Sequence, residues 1–256
     1  SGFSTPLTTA QLTKLSVRQT YDQAGVKLAQ RIRNVENGLI EFKRGAPDSS
    51  VRKKLTLPER MAFYKIPGVS VAIVQNNAID WAKGYGVLKA GSDAPVTTES
   101  FFQAASTTKL LAAVLVHHLV QEGKLELDRN VNEYLKSWKI PENEFTREKK
   151  VTLRHLLTHR AGMPMTNMAY DEKVGDPTIV QVLKGELPAK NKPVVVEFVP
   201  GSKWQYSNIG YVVIQQILED VTGKPFAQIA EEILFQPLGM RSSTLGYPLK
   251  PEQRSR

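Results

Sequence analysis

Ser106 and Lys109 stand three residues apart in Ser106-Thr107-Thr108-Lys109, just ahead of an apolar run that continues to about Val120. On a helix, positions i and i+3 share one face. The amine of Lys109 then lies beside the hydroxyl of Ser106, and either takes its proton or holds it by hydrogen bond. Such a pairing turns a weak alcohol into a nucleophile. The spacing is common by chance, and it gains weight from a second set, Tyr206-Ser207-Asn208. Where the intervening backbone is extended, side chains two residues apart point the same way. Tyr206 offers a phenolic oxygen to move a proton, and a neighbouring ammonium such as that of Lys109 favours the phenolate and lowers its pKa. Asn208 offers its amide oxygen to Lys109, or its amide group to a substrate amide.

The elements that must position these groups are legible from periodicity. The run after Ser106 reads as a helix to about Glu122, with Gly123 as its C-terminal cap. Tyr206-Ser207-Asn208 reads as a loop feeding an amphipathic helix from Ile209 to about Val221, closed by Gly223. Another helix starts near Pro225, where proline suits a first turn. Upstream, the β-branched run Val69 to Val74, a turn at Gln75 to Ala78 and the alternating Ile79 to Val87 read as a hairpin. A short helix at Leu57 to Tyr64 precedes it. Thr152 is a good N-cap for a helix from Leu153 to His159, with Gly162 where it should stop. Met163 to Pro200 carries scattered Pro and Gly and reads as surface wrapping. Residues 1–60 read as a helical extension, with Leu12, Val17, Tyr21, Val26, Leu28, Ile32, Val35 and Leu39 near helical spacing, followed by a loop at 45–50. The fold class that follows is mixed α/β (α+β): an antiparallel sheet flanked by helices, with a mostly helical subdomain that includes Ser106 at its edge.

The totals narrow the function classes. The chain has 256 residues, 41% hydrophobic and 23% charged, which is ordinary for a folded globular chain. No cysteine is present, which excludes a thiol nucleophile, disulfides and cysteine-ligated metal. No apolar run reaches the roughly 18 residues of a membrane span. The net charge of +9 is concentrated in residues 1–60, with eleven Lys/Arg against five Asp/Glu. Arg52-Lys53-Lys54 is the one dense basic cluster and lacks neighbouring aromatics, so no nucleic-acid partner is expected.

At the two motifs the chain resembles the serine β-lactamase and penicillin-binding superfamily, and within it the class C β-lactamase-like branch that includes esterases and D-amino-acid peptidases. Phe102-Gln103-Ala104-Ala105 before Ser106 fits the same pattern. So do Ile66-Pro67-Gly68-Val69, Lys83-Gly84-Tyr85-Gly86, Leu156-Leu157-Thr158-His159 with Gly162, Pro200-Gly201 and Pro237-Leu238-Gly239-Met240. The resemblance implies a β-lactamase/transpeptidase-like fold. Residues 61–256 then form the N-terminal portion of a catalytic domain, and residues 1–60 a basic helical extension. It implies that Ser106 is the nucleophile and that Lys109 orients it and shares its proton. It makes Tyr206 the general base of acylation and Asn208 the second-motif, substrate-binding amide. The backbone N–H of Ser106 then forms half of an oxyanion hole. The implied reaction is acyl transfer to serine followed by hydrolysis, on a small-molecule ester or amide, with no cofactor and no metal. The resemblance also implies a periplasmic or secreted protein.

The family's third motif, a Lys-Thr-Gly or His-x-Gly strand, does not follow Met240. The expectation is that a remaining C-terminal polypeptide completes the fold. Among esters, β-lactams and D-amino-acid peptides, carboxylic esters are favoured, because activated esters acylate serine easily while β-lactam turnover needs a placed water and carboxylate recognition. The rival of another class is a catalytically weak acyl-binding or sensor protein. Other readings are weaker. His155 and His159 are spaced i, i+4, but position 156 is Leu where a zincin has Glu, so hydrogen bonding is their default role. Gly68-Val69-Ser70-Val71-Ala72 lacks the strand-to-helix turn of a hydrolase elbow. Gly84-Tyr85-Gly86 lacks the third glycine of a dinucleotide fingerprint. Trp204 reads as core or as pocket lining.

Overall fold

The structure is a computed structural model, and it describes residues 23–40, 54–165, 170, 173–246, 248–249 and 251–254. The expected helical positions at Leu12, Val17 and Tyr21, and the loop at 45–50, lie outside those residues. The described residues divide into two compact units, one within Ser1–Phe102 and Pro248–Arg256, the other Gln103–Tyr247.

The first unit is built on the hairpin. Strands Gly68–Gln75 and Ala78–Gly86 pair antiparallel, with Ile73 opposite Trp81 and a register shift between Ile73 and Val74. Asn76 and Asn77 turn the chain at φ 51° and 60°, the left-handed pair that matches the twist of a tight hairpin. Gly84 is required by a close approach: a Cβ there would meet the Val96 carbonyl at 2.3 Å. Helix Leu57–Tyr64 forms where expected. Thr56 and Glu59 close a capping box at its start, and Leu57 and Met61 are its buried residues. Helix Gln23–Asn37 ends at Gly38, earlier than the apolar spacing suggests. Leu39 and Ile40 pair with Leu55 and Lys54 as a two-residue ladder.

The second unit holds one apolar core. Helix Thr108–Gln121 buries Ala112, Leu115, Val116 and Leu119, an i, i+3, i+4, i+7 stripe. Helix Asn208–Thr222 buries Ile209, Val213, Ile214, Ile217 and Leu218, and the two helices pack together. At about 25 cal/mol per Å², each fully buried Leu or Ile contributes about 2 kcal/mol to this interface. The segment from Met163 to Pro200 departs from the expected surface wrap. Met163, Val182, Leu183, Val194 and Val196 are buried in the same core, and Ile179–Lys184 is helical. Its prolines and glycines mark the turns between short buried stretches.

Candidate active site

Ser106 lies in a 3-10 turn, Ala105–Thr107, that runs straight into helix Thr108–Gln121. The turn is entered through Ala105 at φ 46°, a left-handed conformation that costs a residue with a Cβ about 1–2 kcal/mol. Strain of this kind persists where the surroundings over-determine it. The Ser106 side chain is exposed at the mouth of the helix. One turn on, Lys109 Nζ donates to Ser106 Oγ at 3.1 Å, as the i, i+3 spacing requires.

The second motif comes from a hundred residues away and meets the first. Ser207 is extended, with φ −140° and ψ 120°, so Tyr206 and Asn208 project to the same side. Tyr206 Oη lies 2.9 Å from Ser106 Oγ. Asn208 Oδ1 accepts from Lys109 Nζ at 2.8 Å. Ser207 points the other way. Its buried hydroxyl caps helix Asn208–Thr222 by accepting the Gly210 N–H, and donates to the Pro164 carbonyl at 2.9 Å.

The electrostatics follow from these contacts. The Lys109 ammonium contributes most to holding the Tyr206 phenol below the usual tyrosine pKa, and the Ser106 hydroxyl adds to it, against slight burial. Lys109 Nζ also stands 5.0 Å from the centroid of the Tyr206 ring and 5.5 Å from that of Tyr211, a double cation–π contact. Once Tyr206 is a phenolate it has no proton to give, so Ser106 is the donor in their hydrogen bond. The arrangement can therefore pass the serine proton to the phenol oxygen while an ammonium offsets the negative charge that moves.

A loop between the helices holds Tyr206 in place. Helix Leu153–Leu157 stops earlier than expected, and His159 takes φ 58°. Its carbonyl accepts the Gln205 N–H at 2.8 Å, and its Nδ1 accepts the Ser207 N–H at 3.1 Å. Arg160 and Gly162 carbonyls accept the N–H groups of Gly201 and Glu197. A Cβ on Gly162, at φ 74°, would meet the Phe198 carbonyl at 2.4 Å, which is why this ladder needs glycine there. The His159 ring lies 4.5 Å from the Tyr206 ring and 5.4 Å from that of Tyr211. Burial, and then the charge of Lys109, lower the His159 pKa, so the ring stays neutral. His155 does not share a face with it. Its Nδ1 accepts from Thr152 in the capping box of helix Leu153–Leu157.

Tyr211 is the neighbour that motif reading missed, while His159 takes the hydrogen-bonding role expected of it. Tyr211 follows Asn208 by three residues and donates its hydroxyl to the Leu157 carbonyl at 3.1 Å. Burial, and then Tyr206, raise its pKa, so it remains a phenol. Trp204 is neither core nor well covered: it is 60% exposed, with its indole edge-on to His159 at 6.1 Å.

A cavity of about 150 Å³ opens beside Lys109 and Asn208, walled by Ala112, Tyr211, Val212 and Phe226. A larger one, about 280 Å³, lies at the other end of the same helices, around His118, Glu122 and Val221. Its charged groups are occupied with one another, as in Lys124 with Glu122 at 2.8 Å. Among the described residues, no group of three or more His, Asp or Glu side chains is placed to hold a metal ion. No helix among them is long and apolar enough to cross a membrane.

The putative D-alanyl-D-alanine carboxypeptidase of Escherichia coli (strain K12) is 33% identical over 201 residues, covering 73% of this chain and 46% of that protein. Esterase EstB of Burkholderia gladioli is 27% identical over 208 residues, covering 78% of this chain and 52% of the esterase. The octameric penicillin-binding protein homologue from Pyrococcus abyssi superposes with a TM-score of 0.58 at 30% sequence identity, over 72% of this chain and 42% of that one. The chain spans about half the length of the curated relatives it matches. A family model described as Beta-lactamase matches residues 55–256, a span that includes the hairpin, Ser106, Lys109, Tyr206 and Asn208, and the chain belongs to the β-lactamase family.

Proposed function

We propose that this chain carries the nucleophile of a serine hydrolase that turns over carboxylic esters through an acyl-enzyme on Ser106. The observation that carries the reading is the placement of one hydroxyl, Ser106 Oγ, within 3.1 Å of Lys109 Nζ and 2.9 Å of Tyr206 Oη. Tyr206 takes the serine proton as Oγ bonds to the acyl carbon. The negative charge then rests on the former carbonyl oxygen, where the Ser106 N–H, in the 3-10 turn that leads into the helix, is a donor. Collapse breaks the bond to the leaving alkoxide, which receives the proton from Tyr206. Water then gives a proton to Tyr206, its oxygen bonds to the acyl carbon, and Ser106 leaves and recovers a proton. Asn208 holds Lys109 in place and presents its amide to substrate.

The ester preference is supported by chemistry: activated esters acylate a serine easily, and one relative is named as an esterase. Relatives named as an esterase and as putative D-alanyl-D-alanine carboxypeptidases keep peptidase activity as the alternative within the family. The test is a panel of p-nitrophenyl acetate and butyrate, a D-alanyl-D-alanine peptide and a chromogenic cephalosporin. Repeated release of p-nitrophenol, with the esters leading in kcat/KM, is the expected outcome. One equivalent released and no more would favour the sensor, and preference for the peptide would favour the peptidase.

A further inference from the structure

We infer that His159 is a positioning residue for Tyr206: it grips the backbone on both sides of the tyrosine and lies against its ring, and so sets the distance from the phenol oxygen to Ser106. The inference rests on the proposed role of Tyr206 as proton acceptor. It starts from a left-handed residue. His159 is at φ 58°, one residue past the Thr158 cap of a five-residue helix, so its side chain and carbonyl turn toward the segment that carries Tyr206. The carbonyl accepts the N–H of Gln205, the residue before Tyr206, at 2.8 Å. Nδ1 accepts the N–H of Ser207, the residue after it, at 3.1 Å. Between the two clamps the imidazole lies 4.5 Å from the phenol ring, tilted by 36°. Few side chains can do all of this. The position needs tolerance of positive φ, an acceptor at the reach of Nδ1 and a flat ring.

The clamp works only with a neutral imidazole, because Nδ1 must offer a lone pair. The groups that face the ring are Lys109 from helix Thr108–Gln121, Tyr211 from helix Asn208–Thr222, and Trp204 and Tyr206 from its own loop ladder. None is a carboxylate, and burial and the Lys109 cation both oppose the imidazolium. His159 touches neither Ser106 nor the cavity, so its effect passes through Tyr206.

The test uses single-turnover acylation by p-nitrophenyl butyrate, which separates the acylation rate constant from ester binding. His159→Gly keeps the left-handed backbone and removes both acceptor and ring. His159→Asn keeps the backbone preference and an acceptor near the place of Nδ1. His159→Phe keeps a ring without the acceptor. We expect the Gly and Phe variants to acylate slower by about tenfold or more, the effect of a buried N–H left unpaired, with ester binding unchanged, and the Asn variant to recover to within about threefold. In a Tyr206→Phe background, His159→Gly should add nothing further, since the two act as one unit. Should the Gly variant fail to fold, the contrast between Phe and Asn decides. Normal acylation in Gly and Phe, or equal loss in Asn, overturns the inference. If Tyr206→Phe itself acylates at the normal rate, the reading of Tyr206 fails. If Tyr206→Phe is slow while His159→Gly is normal, the positioning role alone fails.

Discussion

Tyr85 and Tyr206 each stand under a lysine, and they are tuned in opposite directions. In the first unit, Lys83 Nζ lies 4.8 Å from the Tyr85 ring, and in the second, Lys109 Nζ lies 5.0 Å from the Tyr206 ring. The difference is burial first and a carboxylate second. Glu36 Oε1 accepts from both Tyr85 Oη and Lys83 Nζ at 2.9 Å. Burial and the hydrogen bond to Glu36 push the Tyr85 phenol up to about 12. Tyr206 has no such carboxylate among its hydrogen-bond partners. It faces an ammonium and a hydroxyl, and its pKa falls. Near neutral pH the first tyrosine is a permanent donor that ties helix Gln23–Asn37 to the hairpin, and the second is poised to accept. A lysine near a tyrosine does not by itself make a base; burial and the phenol's other hydrogen-bond partners decide.

Breaking the second cluster should cost most. Ser106→Ala should bring ester turnover down to the buffer rate in a p-nitrophenol assay, because no other group takes the acyl chain. Lys109→Ala removes the ammonium that orients Ser106 and favours the phenolate, and should slow single-turnover acylation by about two to three decades. Tyr206→Phe should slow it by about two decades, with the far-ultraviolet circular dichroism unchanged. Residual acylation at the normal rate in that variant would end the assignment of Tyr206.

The pH dependence sharpens the contrast further. A base must be unprotonated to act, so acylation should climb with pH through the Tyr206 pKa, with a midpoint below the ordinary phenol value of about 10. In Lys109→Ala the midpoint should move up, and an unmoved midpoint would mean that the lysine does not set it. The smallest effect belongs to the first cluster. Glu36→Gln should bring the Tyr85 phenol down from about 12 toward its ordinary value, read by phenolate absorbance, while kcat stays unchanged. A raised folded-state pKa stabilises below the ordinary phenol value and ceases to do so as pH rises through the folded value.

How much of this was legible in the sequence depends on how local each determinant is. The Ser106–Lys109 pair and the Tyr206–Asn208 pair are set by i, i+3 and i, i+2 geometry, so spacing alone places them. That the two pairs meet was legible only by resemblance, since nothing local joins residues a hundred apart. Tyr211 was within reach, being one turn after Asn208 on the same helical face. For His159 the hydrogen bonding was legible and the place beside Tyr206 was not. Its spacing from His155 suggests a shared helical face, but the helix ends at Leu157 and the left-handed turn sends the two rings to different partners. Trp204 misleads because a large aromatic beside a motif reads as buried, whereas here only one edge meets His159. The hairpin was legible because β-branched alternation and an Asn-Asn turn agree, and the pairing at Leu39–Ile40 was not, because two residues carry no period.

The central claim is that Ser106 accepts the acyl group. The direct test is peptide mapping by mass spectrometry after brief exposure to a fluorophosphonate and, separately, to p-nitrophenyl butyrate quenched in acid. The account predicts one covalent adduct per chain, on the peptide that contains Ser106, and none in Ser106→Ala. An unmodified Ser106 peptide, or an adduct that persists in Ser106→Ala, would contradict it.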